Sequence, residues 1–272
     1  MSRAAGAGRW RTSSVTARGL KLRIARRGSG PPLLLLTGIG ANLEMWRPFE
    51  RLVRGREVIT VDAPGTGMSE RPRLPLRMRD LARIIEDLLG VLDIEQADVL
   101  GYSFGGLLAQ ELAHRAPVRV RRLILCATAQ GLPLIPPRPG PALLLATPAR
   151  YYHPKLFELI VPRIAGGRTR REPSRLAEQA TARLARPPQL LGYGYQLYAA
   201  SGWTSLPWLC RLRQPTLIIA GDDDPIIPLV NPRLMARLMP DARLRVVEGG
   251  GHLFLIDEPE SVIGDIHEFL DD

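Results

Sequence analysis

Residues 99–110, VLGYSFGGLLAQ, join the end of an apolar run to the start of a helical pattern and place one serine among closely spaced glycines. A strand that turns directly into a helix forces its turning residue into a strained backbone conformation, and the residues two before and two after it approach closely. Only very small residues fit there, and Gly101 and Gly105 occupy those positions around Ser103. The stretch therefore predicts a strand–turn–helix unit that presents the Ser103 hydroxyl at one edge of a sheet.

Short apolar runs alternate with helical patterns along most of the chain. The helical patterns include residues 81–92 and 104–114. The predicted strands are residues 20–24, 33–36, 58–61, 99–100, 123–126, 216–220 and 244–247. This alternation predicts an α/β fold with a mostly parallel central sheet flanked by helices, and 272 residues suit one such domain.

The alternation stops between residues 131 and 210, where prolines are frequent and no strand separates the helical patterns. We interpret residues 131–210 as a helical cap, or lid, over the carboxyl edge of the sheet. Residues 18–130 and 211–272 then form the core. Residues 1–17 contain arginines but no continuous apolar segment, so we expect a flexible basic tail rather than a signal peptide or membrane anchor.

Composition limits the classes of function. All but two of the 37 basic residues are arginine, and the formal net charge is +10. The basic clusters lack interleaved aromatic residues, so we expect a solvated basic face and no nucleic-acid partner. No apolar stretch reaches membrane-spanning length, and two distant cysteines give no disulfide framework, so we expect a cytoplasmic protein without a transmembrane segment. Metal and nucleotide motifs are missing, so no metal or cofactor is expected, and the oligomeric state is left open.

A serine hydroxyl needs a base to accept its proton, and the base needs a carboxylate to orient it. Of the four histidines, His252 follows a predicted strand and three glycines, which give the backbone freedom to deliver the ring. Asp224 ends the run DDD directly after another predicted strand, at the edge where catalytic groups of parallel sheets collect. A capping role in the following turn is the alternative for Asp224. The order Ser103, Asp224, His252 is typical of nucleophile, acid and base in such a fold.

Two backbone N–H groups are expected to stabilise a developing oxyanion. The N–H of Phe104 directly follows the nucleophile, and the N–H of Ile39 lies in the loop after the predicted strand 33–36. The side chains of Ile39, Met45, Trp46 and Phe104 predict an apolar substrate cleft. Core packing is an equally good explanation for Met45 or Trp46 alone.

Together these motifs resemble the α/β-hydrolase superfamily over about residues 20–270. The resemblance includes VDAPGTGMS at residues 61–69, which is similar to the turn after the fourth strand of that superfamily. It implies an α/β-hydrolase fold with a helical cap and a triad of Ser103, Asp224 and His252. A serine at the turn argues against haloalkane dehalogenase-like chemistry, which needs a carboxylate there.

Longer segments resemble the intracellular depolymerases of medium-chain-length polyhydroxyalkanoates. They are LLLLTGIGANLEMWRPFERL, GWTSLPWLCRLRQPTLIIAGDDDPIIPLVNPRL and GHLFL, with ATPARYY and GYGYQLYAASGW inside residues 131–210. This resemblance implies cofactor-free, serine-dependent hydrolysis of stored polyester to hydroxyalkanoic acids at a granule surface. Thr37 departs from the histidine usual in the superfamily and the asparagine of this family, and Phe104 replaces an aromatic residue of different size. Because both positions belong to the oxyanion loop or the acyl pocket, these departures bear on the substrate chain length that is preferred and not on the type of reaction.

Three alternatives share the motifs. A generic carboxylesterase or lipase would use the same catalytic residues on a broader range of esters. A cofactor-free perhydrolase of the haloperoxidase type would form peroxyacids from acetate and peroxide. A non-catalytic binding protein is the least favoured alternative because all three triad positions are occupied.

Overall fold

The computed structural model describes residues 10–133, 139–173, 184 and 186–272. Its centre is an eight-stranded sheet in the order β1-β2-β4-β3-β5-β6-β7-β8. The strands are β1 (Arg11–Ala17), β2 (Leu20–Gly28), β3 (Pro32–Leu36), β4 (Glu57–Val61), β5 (Ala97–Tyr102), β6 (Val120–Cys126), β7 (Thr216–Gly221) and β8 (Ala242–Val247). Strands β3 to β8 pair in parallel, whereas β2 pairs antiparallel with both β1 and β4. The predicted mostly parallel α/β sheet is confirmed.

Helices cover both faces of this sheet. They are α1 (Arg47–Glu50), α2 (Met78–Val91), α3 (Phe104–Arg115), α4 (Pro139–Leu145), α5 (Pro154–Ala165), α6 (Gly167–Arg171), α7 (Leu190–Ala200), α8 (Val230–Leu238), α9 (Phe254–Asp257) and α10 (Glu260–Asp271). Helices α2, α3 and α8 bury apolar side chains against one face of the sheet, and α1, α5, α9 and α10 do so against the other. Because these seven helices pack on the two faces, the central parallel strands are apolar on both sides.

The prediction of a tail over residues 1–17 is wrong for Arg11–Ala17, which form strand β1. Every residue of β1 pairs with β2 across a tight turn in which Arg18 and Gly19 both have positive φ. Most side chains of β1 are exposed because it is an edge strand, so the apolar alternation that marks buried strands is missing. Residues 1–9 of the predicted tail lie outside the described residues.

The chain between β6 and β7 contains helices α4 to α7, and in its described part the sole β pairing is the bridge between Gly131 and Thr204. The N–H of Leu132 donates to the Trp203 carbonyl at 2.9 Å, so the two ends of this insertion meet. The predicted cap boundaries, 131–210, stay a prediction, and residues 134–138, 174–183 and 185 lie outside the described residues. Across the described ranges, no helix combines the length and apolarity that crossing a bilayer requires.

Candidate active site

Ser103 occupies the turn between β5 and α3 with a φ of 53° and a ψ of −117°. Positive φ is strained for a residue with a side chain, so neighbouring contacts must hold the turn. The Ser103 N–H donates to the Cys126 carbonyl at 2.9 Å, and the Ser103 carbonyl accepts from Gly106 N–H at 2.9 Å and Thr128 Oγ1 at 2.8 Å. These bonds fix the backbone of Ser103 from both sides.

The positions around Ser103 require glycine because neighbouring atoms leave no room for a side chain, not because of a positive φ. A Cβ atom at Gly101 would overlap the Gly105 carbonyl oxygen, and one at Gly105 would overlap the Leu36 carbonyl oxygen. A Cβ atom at Gly106 would lie 2.5 Å from the Thr128 side chain. Helix α3 therefore packs directly on β3, and this close approach brings the Ser103 turn beside the loop that follows β3.

Replacing Gly105 by alanine should destabilise the protein by about 3 kcal/mol, because the new methyl group meets backbone atoms of β3 that have no room to move. The measurement is the free energy of unfolding in urea. Gly194→Ala is the matched control, since Gly194 is exposed within α7 and has no atom within 4 Å of an added Cβ. The control should gain about 0.5 to 1 kcal/mol, and an unchanged stability of the Gly105 variant would contradict the packing argument.

The structure brings the three predicted triad residues together. The Nε2 atom of His252 lies 3.0 Å from Ser103 Oγ, and its Nδ1 atom lies 2.7 Å from Asp224 Oδ2. His252 is 6% exposed and Asp224 is 8% exposed, so water competes little for either contact. The geometry is that of a hydroxyl, an imidazole and an orienting carboxylate in series.

Each member of the DDD run has a different partner. Asp222 Oδ1 accepts from the Gly249 N–H at 2.7 Å, and Asp223 pairs with the Arg170 guanidinium at 2.7 Å. Asp224 divides its two oxygens: Oδ2 faces His252, whereas Oδ1 accepts from the N–H groups of the second and third residues after it, at 2.8 and 2.9 Å. Asp224 therefore has both roles that the sequence suggested: it caps the following turn and it contacts His252.

Two residues that the sequence analysis missed hold the backbone of His252. The Tyr102 hydroxyl donates to the His252 carbonyl at 2.8 Å, and the His252 N–H donates to the Ala165 carbonyl, at the end of α5, at 2.5 Å. The rings of Tyr102 and His252 lie 5.5 Å apart between centroids. The position of Tyr102 directly before the serine was the available signal, whereas nothing in the sequence marks Ala165.

The glycines before His252 have a different role from the predicted flexibility. Gly249 alone of the three has a positive φ, 63°. A Cβ atom at Gly250 would lie 2.7 Å from the Val247 side chain, and one at Gly251 would overlap the Ala165 carbonyl oxygen. Glycine is therefore needed at Gly250 and Gly251 because other chain segments approach closely, and the loop is held in place rather than left free.

The two predicted oxyanion donors lie on either side of Ser103. Phe104 is the first residue of α3, so its N–H has no acceptor within the helix. In the loop after β3, the Gly40 N–H donates to Gln196 Oε1 at 2.7 Å, and the Ile39 carbonyl accepts from the Tyr151 hydroxyl at 2.8 Å. The insertion therefore holds this loop at two points. The assignment of the Ile39 and Phe104 N–H groups as donors stays a prediction.

Thr37, where the sequence departs from the resembled family, lies at the start of the same loop. Its side chain is 4% exposed, and its Oγ1 atom has no hydrogen-bond partner among the described residues. The backbone of Thr37 passes against Gly105, where an added Cβ atom would lie 2.7 Å from the Thr37 carbonyl oxygen. The Thr37 side chain therefore fills space behind the loop without anchoring it by a hydrogen bond.

A cavity opens beside Ser103 and His252, both of which contribute to its wall. Its wall is mostly apolar, with Ile39 and Met45 among the lining residues as predicted, together with Leu145, Phe157, Val161, Ile164 and Ile226. Trp46 and Phe104 are not among the lining residues, so the structure gives no support to the prediction that their side chains contact substrate, and it stays a prediction. Trp46 is fully buried and its ring contacts those of Phe49 and Tyr102, whereas Phe104 is buried in the apolar core that α2 and α3 share with the sheet.

A buried ionic network supports the chain that precedes α1. Arg23 pairs with Glu44 at 2.6 Å and with Asp62 at 3.3 Å, and Asp62 also accepts from the N–H groups of Leu43 and Met68 at 2.7 and 2.9 Å. Burial raises the pKa of the Asp62 carboxyl group, although these three donors oppose the shift. The network fixes the turn that carries Met45 into the cavity wall.

The other three histidines lie outside the cavity wall. The ring of His114 stacks on that of Trp208 at 4.2 Å, His153 caps the start of α5, and His267 accepts from the Arg54 N–H at 3.3 Å. Burial lowers the pKa of His267. Among the described residues, no group of three or more His, Cys, Asp or Glu side chains could hold a metal ion.

The chain belongs to the α/β-hydrolase family, because the model for the alpha/beta hydrolase fold matches residues 31–259. It is 46% identical over 253 residues to the poly(3-hydroxyalkanoate) depolymerase of Ectopseudomonas oleovorans, covering 92% of this chain and 88% of that protein. It is 32% identical to the pimeloyl-[acyl-carrier protein] methyl ester esterase of Aromatoleum aromaticum, covering 85% and 94% respectively.

Among solved structures, the enol-lactonase of Burkholderia xenovorans LB400 has the same fold. It superposes with a TM-score of 0.82 at 24% identity, covering 96% of this chain and 100% of that chain. These matches confirm two predictions: the α/β-hydrolase fold and the relation to the polyhydroxyalkanoate depolymerases.

Proposed function

We propose that this α/β hydrolase cleaves carboxylic esters and that its substrate is a poly(3-hydroxyalkanoate), from which it releases hydroxyalkanoic acids. The observation that carries the proposal is the 46% identity to a protein named for that activity, spread over 92% of the chain. The mostly apolar cavity beside Ser103 supports it, since aliphatic side chains of such a polyester need an apolar wall.

In the proposed mechanism, Ser103 Oγ attacks the ester carbonyl while His252 Nε2 accepts the hydroxyl proton. Asp224 holds the Nδ1 proton of His252 and stabilises the imidazolium that forms. The N–H groups of Ile39 and Phe104 stabilise the tetrahedral oxyanion. His252 then gives its proton to the leaving alcohol, and a water molecule activated by the same imidazole releases the acid from Ser103.

We also propose that the protein works in the cytoplasm at the surface of stored polyester granules. The insertion between β6 and β7 supports this, because it exposes large apolar side chains that water solvates poorly. Those of α4, α5 and the start of α7 are Leu143, Leu156, Leu159, Leu190 and Leu191. A granule of aliphatic polyester offers a surface of matching chemistry.

The test compares emulsified medium-chain polyhydroxyalkanoate with a short nitrophenyl ester, using the Ser103→Ala variant as the blank. We expect both substrates to be hydrolysed, with hydroxyalkanoic acids detected by mass spectrometry from the polymer. Hydrolysis of the nitrophenyl ester alone would reject the depolymerase proposal and leave a carboxylesterase. Hydrolysis of neither substrate would reject ester hydrolysis itself.

A further inference from the structure

Arg150 is a buried cation in the wall of the cavity that contains Ser103 and His252. It is 4% exposed, and most of the surrounding cavity wall is apolar. It belongs to the insertion between β6 and β7, at the turn Ala149–Tyr151 that precedes α5. A guanidinium keeps its charge in any protein environment, so this cavity holds a permanent positive charge.

The described residues include three buried arginines, and Arg150 differs from the other two. Arg23 pairs with Glu44 at 2.6 Å, and Arg56 pairs with Asp98 at 3.3 Å. Arg150 donates to the Thr147 carbonyl at 3.0 Å and to the Tyr193 hydroxyl at 3.1 Å, and within the described chain it has no carboxylate within 4.0 Å. Burying a charge without an opposite charge is costly, which favours an anion that arrives with the substrate.

The surroundings of Arg150 place it next to the loop of the predicted oxyanion donor. Its guanidinium lies 4.5 Å from the centre of the Tyr151 ring, and the Tyr151 hydroxyl donates to the Ile39 carbonyl at 2.8 Å. A Cβ atom added at Gly40 would lie 2.8 Å from Tyr151 and 2.7 Å from Tyr193. The two tyrosines therefore fix the guanidinium against the same loop that borders Ser103.

We infer that Arg150 binds the free carboxylate of an ester substrate, on the alcohol side of the bond that is cleaved. This inference rests on the proposed function. In a polyester of hydroxy acids, the alcohol that leaves is itself a hydroxy acid, and its carboxylate is free when the bond is the last one of the chain. The guanidinium matches a carboxylate with two parallel hydrogen bonds. Cleavage of the polyester then starts at the carboxyl end of a chain, and an oligoester with a free carboxylate is cleaved in the same way.

The test uses a matched pair of substrates, the linear dimer of 3-hydroxyoctanoic acid and its methyl ester, at pH 8. The quantity measured is the ratio of kcat/KM for the acid to kcat/KM for the methyl ester. Hydrogen bonds to a charged group predict a ratio of roughly tenfold to a hundredfold for the unaltered protein. The ratio should fall to about one in Arg150→Gln and keep an intermediate value in Arg150→Lys, which retains the charge but loses the planar fork.

Arg163→Gln is the control, since Arg163 lies in the same insertion, is exposed and does not line the cavity. It should leave the ratio unchanged. If Arg150 only supports Tyr193 and Thr147, Arg150→Gln lowers both activities together and the ratio stays, which contradicts the inference. A ratio near one in the unaltered protein contradicts it as well.

Inhibition of the unaltered protein decides the question if the Arg150 variants do not fold. Octanoate should inhibit nitrophenyl butyrate hydrolysis at least tenfold more strongly than octanamide, and equal inhibition would overturn the inference. A protein that prefers the dimer acid but leaves the polymer intact would keep the role of Arg150 and reject the depolymerase proposal. The two proposals therefore fail in different measurements.

Discussion

Ser103→Ala should lower kcat for nitrophenyl ester hydrolysis by roughly a millionfold while leaving the free energy of unfolding close to that of the unaltered protein. The Oγ atom is the group that His252 Nε2 faces at 3.0 Å, and without it no acyl-enzyme forms. Stability should change little, because the bonds that hold this turn are made by the backbone of Ser103 and by Thr128. Turnover and urea unfolding are measured on the same preparation.

Ser201→Ala provides the matched control for this variant. Ser201 is exposed beyond the end of α7, and its hydroxyl donates only locally, to the Tyr198 carbonyl at 2.8 Å. A fluorophosphonate should label the unaltered protein and the Ser201 variant once per chain and should not label the Ser103 variant. Full labelling of the Ser103→Ala protein would show that another residue is the nucleophile.

The strands and the serine turn were predictable because each is specified by local chemistry. The central parallel strands read as apolar runs, since they are buried on both faces, and the turn at Ser103 requires glycines at fixed offsets. Strand β1 escaped prediction for the opposite reason. It lies at the edge of the sheet and most of its side chains are exposed, so the sequence lacks the apolar alternation that would predict its pairing with β2.

Contacts between distant segments explain what the sequence could not reveal at the site. Asp222, Asp223 and Asp224 are three identical residues in a row, and their roles differ because each faces a different segment: Gly249, Arg170 and His252, respectively. Arg150 is one basic residue among 37, and its burial without a carboxylate partner depends on Tyr193, which is 43 residues away. Such features come from how the insertion packs on the sheet.

The insertion contributes to the positioning of the reactive groups as well as to the cavity wall. The Ala165 carbonyl of α5 accepts from His252 N–H, and Tyr151 and Gln196 hold the backbone of Ile39 and Gly40. A movement of this insertion would therefore shift the histidine and the loop of the predicted oxyanion donor together. These three hydrogen bonds therefore make the position of the insertion part of the alignment of the site.

Asp224→Asn should lower kcat by about ten-thousandfold with little loss of stability. The carboxylate Oδ1 atom accepts from the N–H groups of Ile226 and Ile227, and an asparagine oxygen can keep both bonds. The amide NH₂ group must then face His252 Nδ1 and donate to it. This fixes the proton on Nε2, the atom that has to accept the Ser103 proton, so the base is in the wrong tautomer.

Asp222→Asn is the matched control for Asp224→Asn, because it makes the same chemical change two residues earlier in the run. Asp222 Oδ1 accepts from the Gly249 N–H at 2.7 Å, a hydrogen bond that an asparagine oxygen can also accept. The carboxylate that contacts His252 is that of Asp224. Its kcat for the nitrophenyl ester should stay within about twofold of the unaltered value, as expected for a surface change. Equal losses in the two variants would mean that the charge of the whole run, rather than the tautomer of His252, controls the rate.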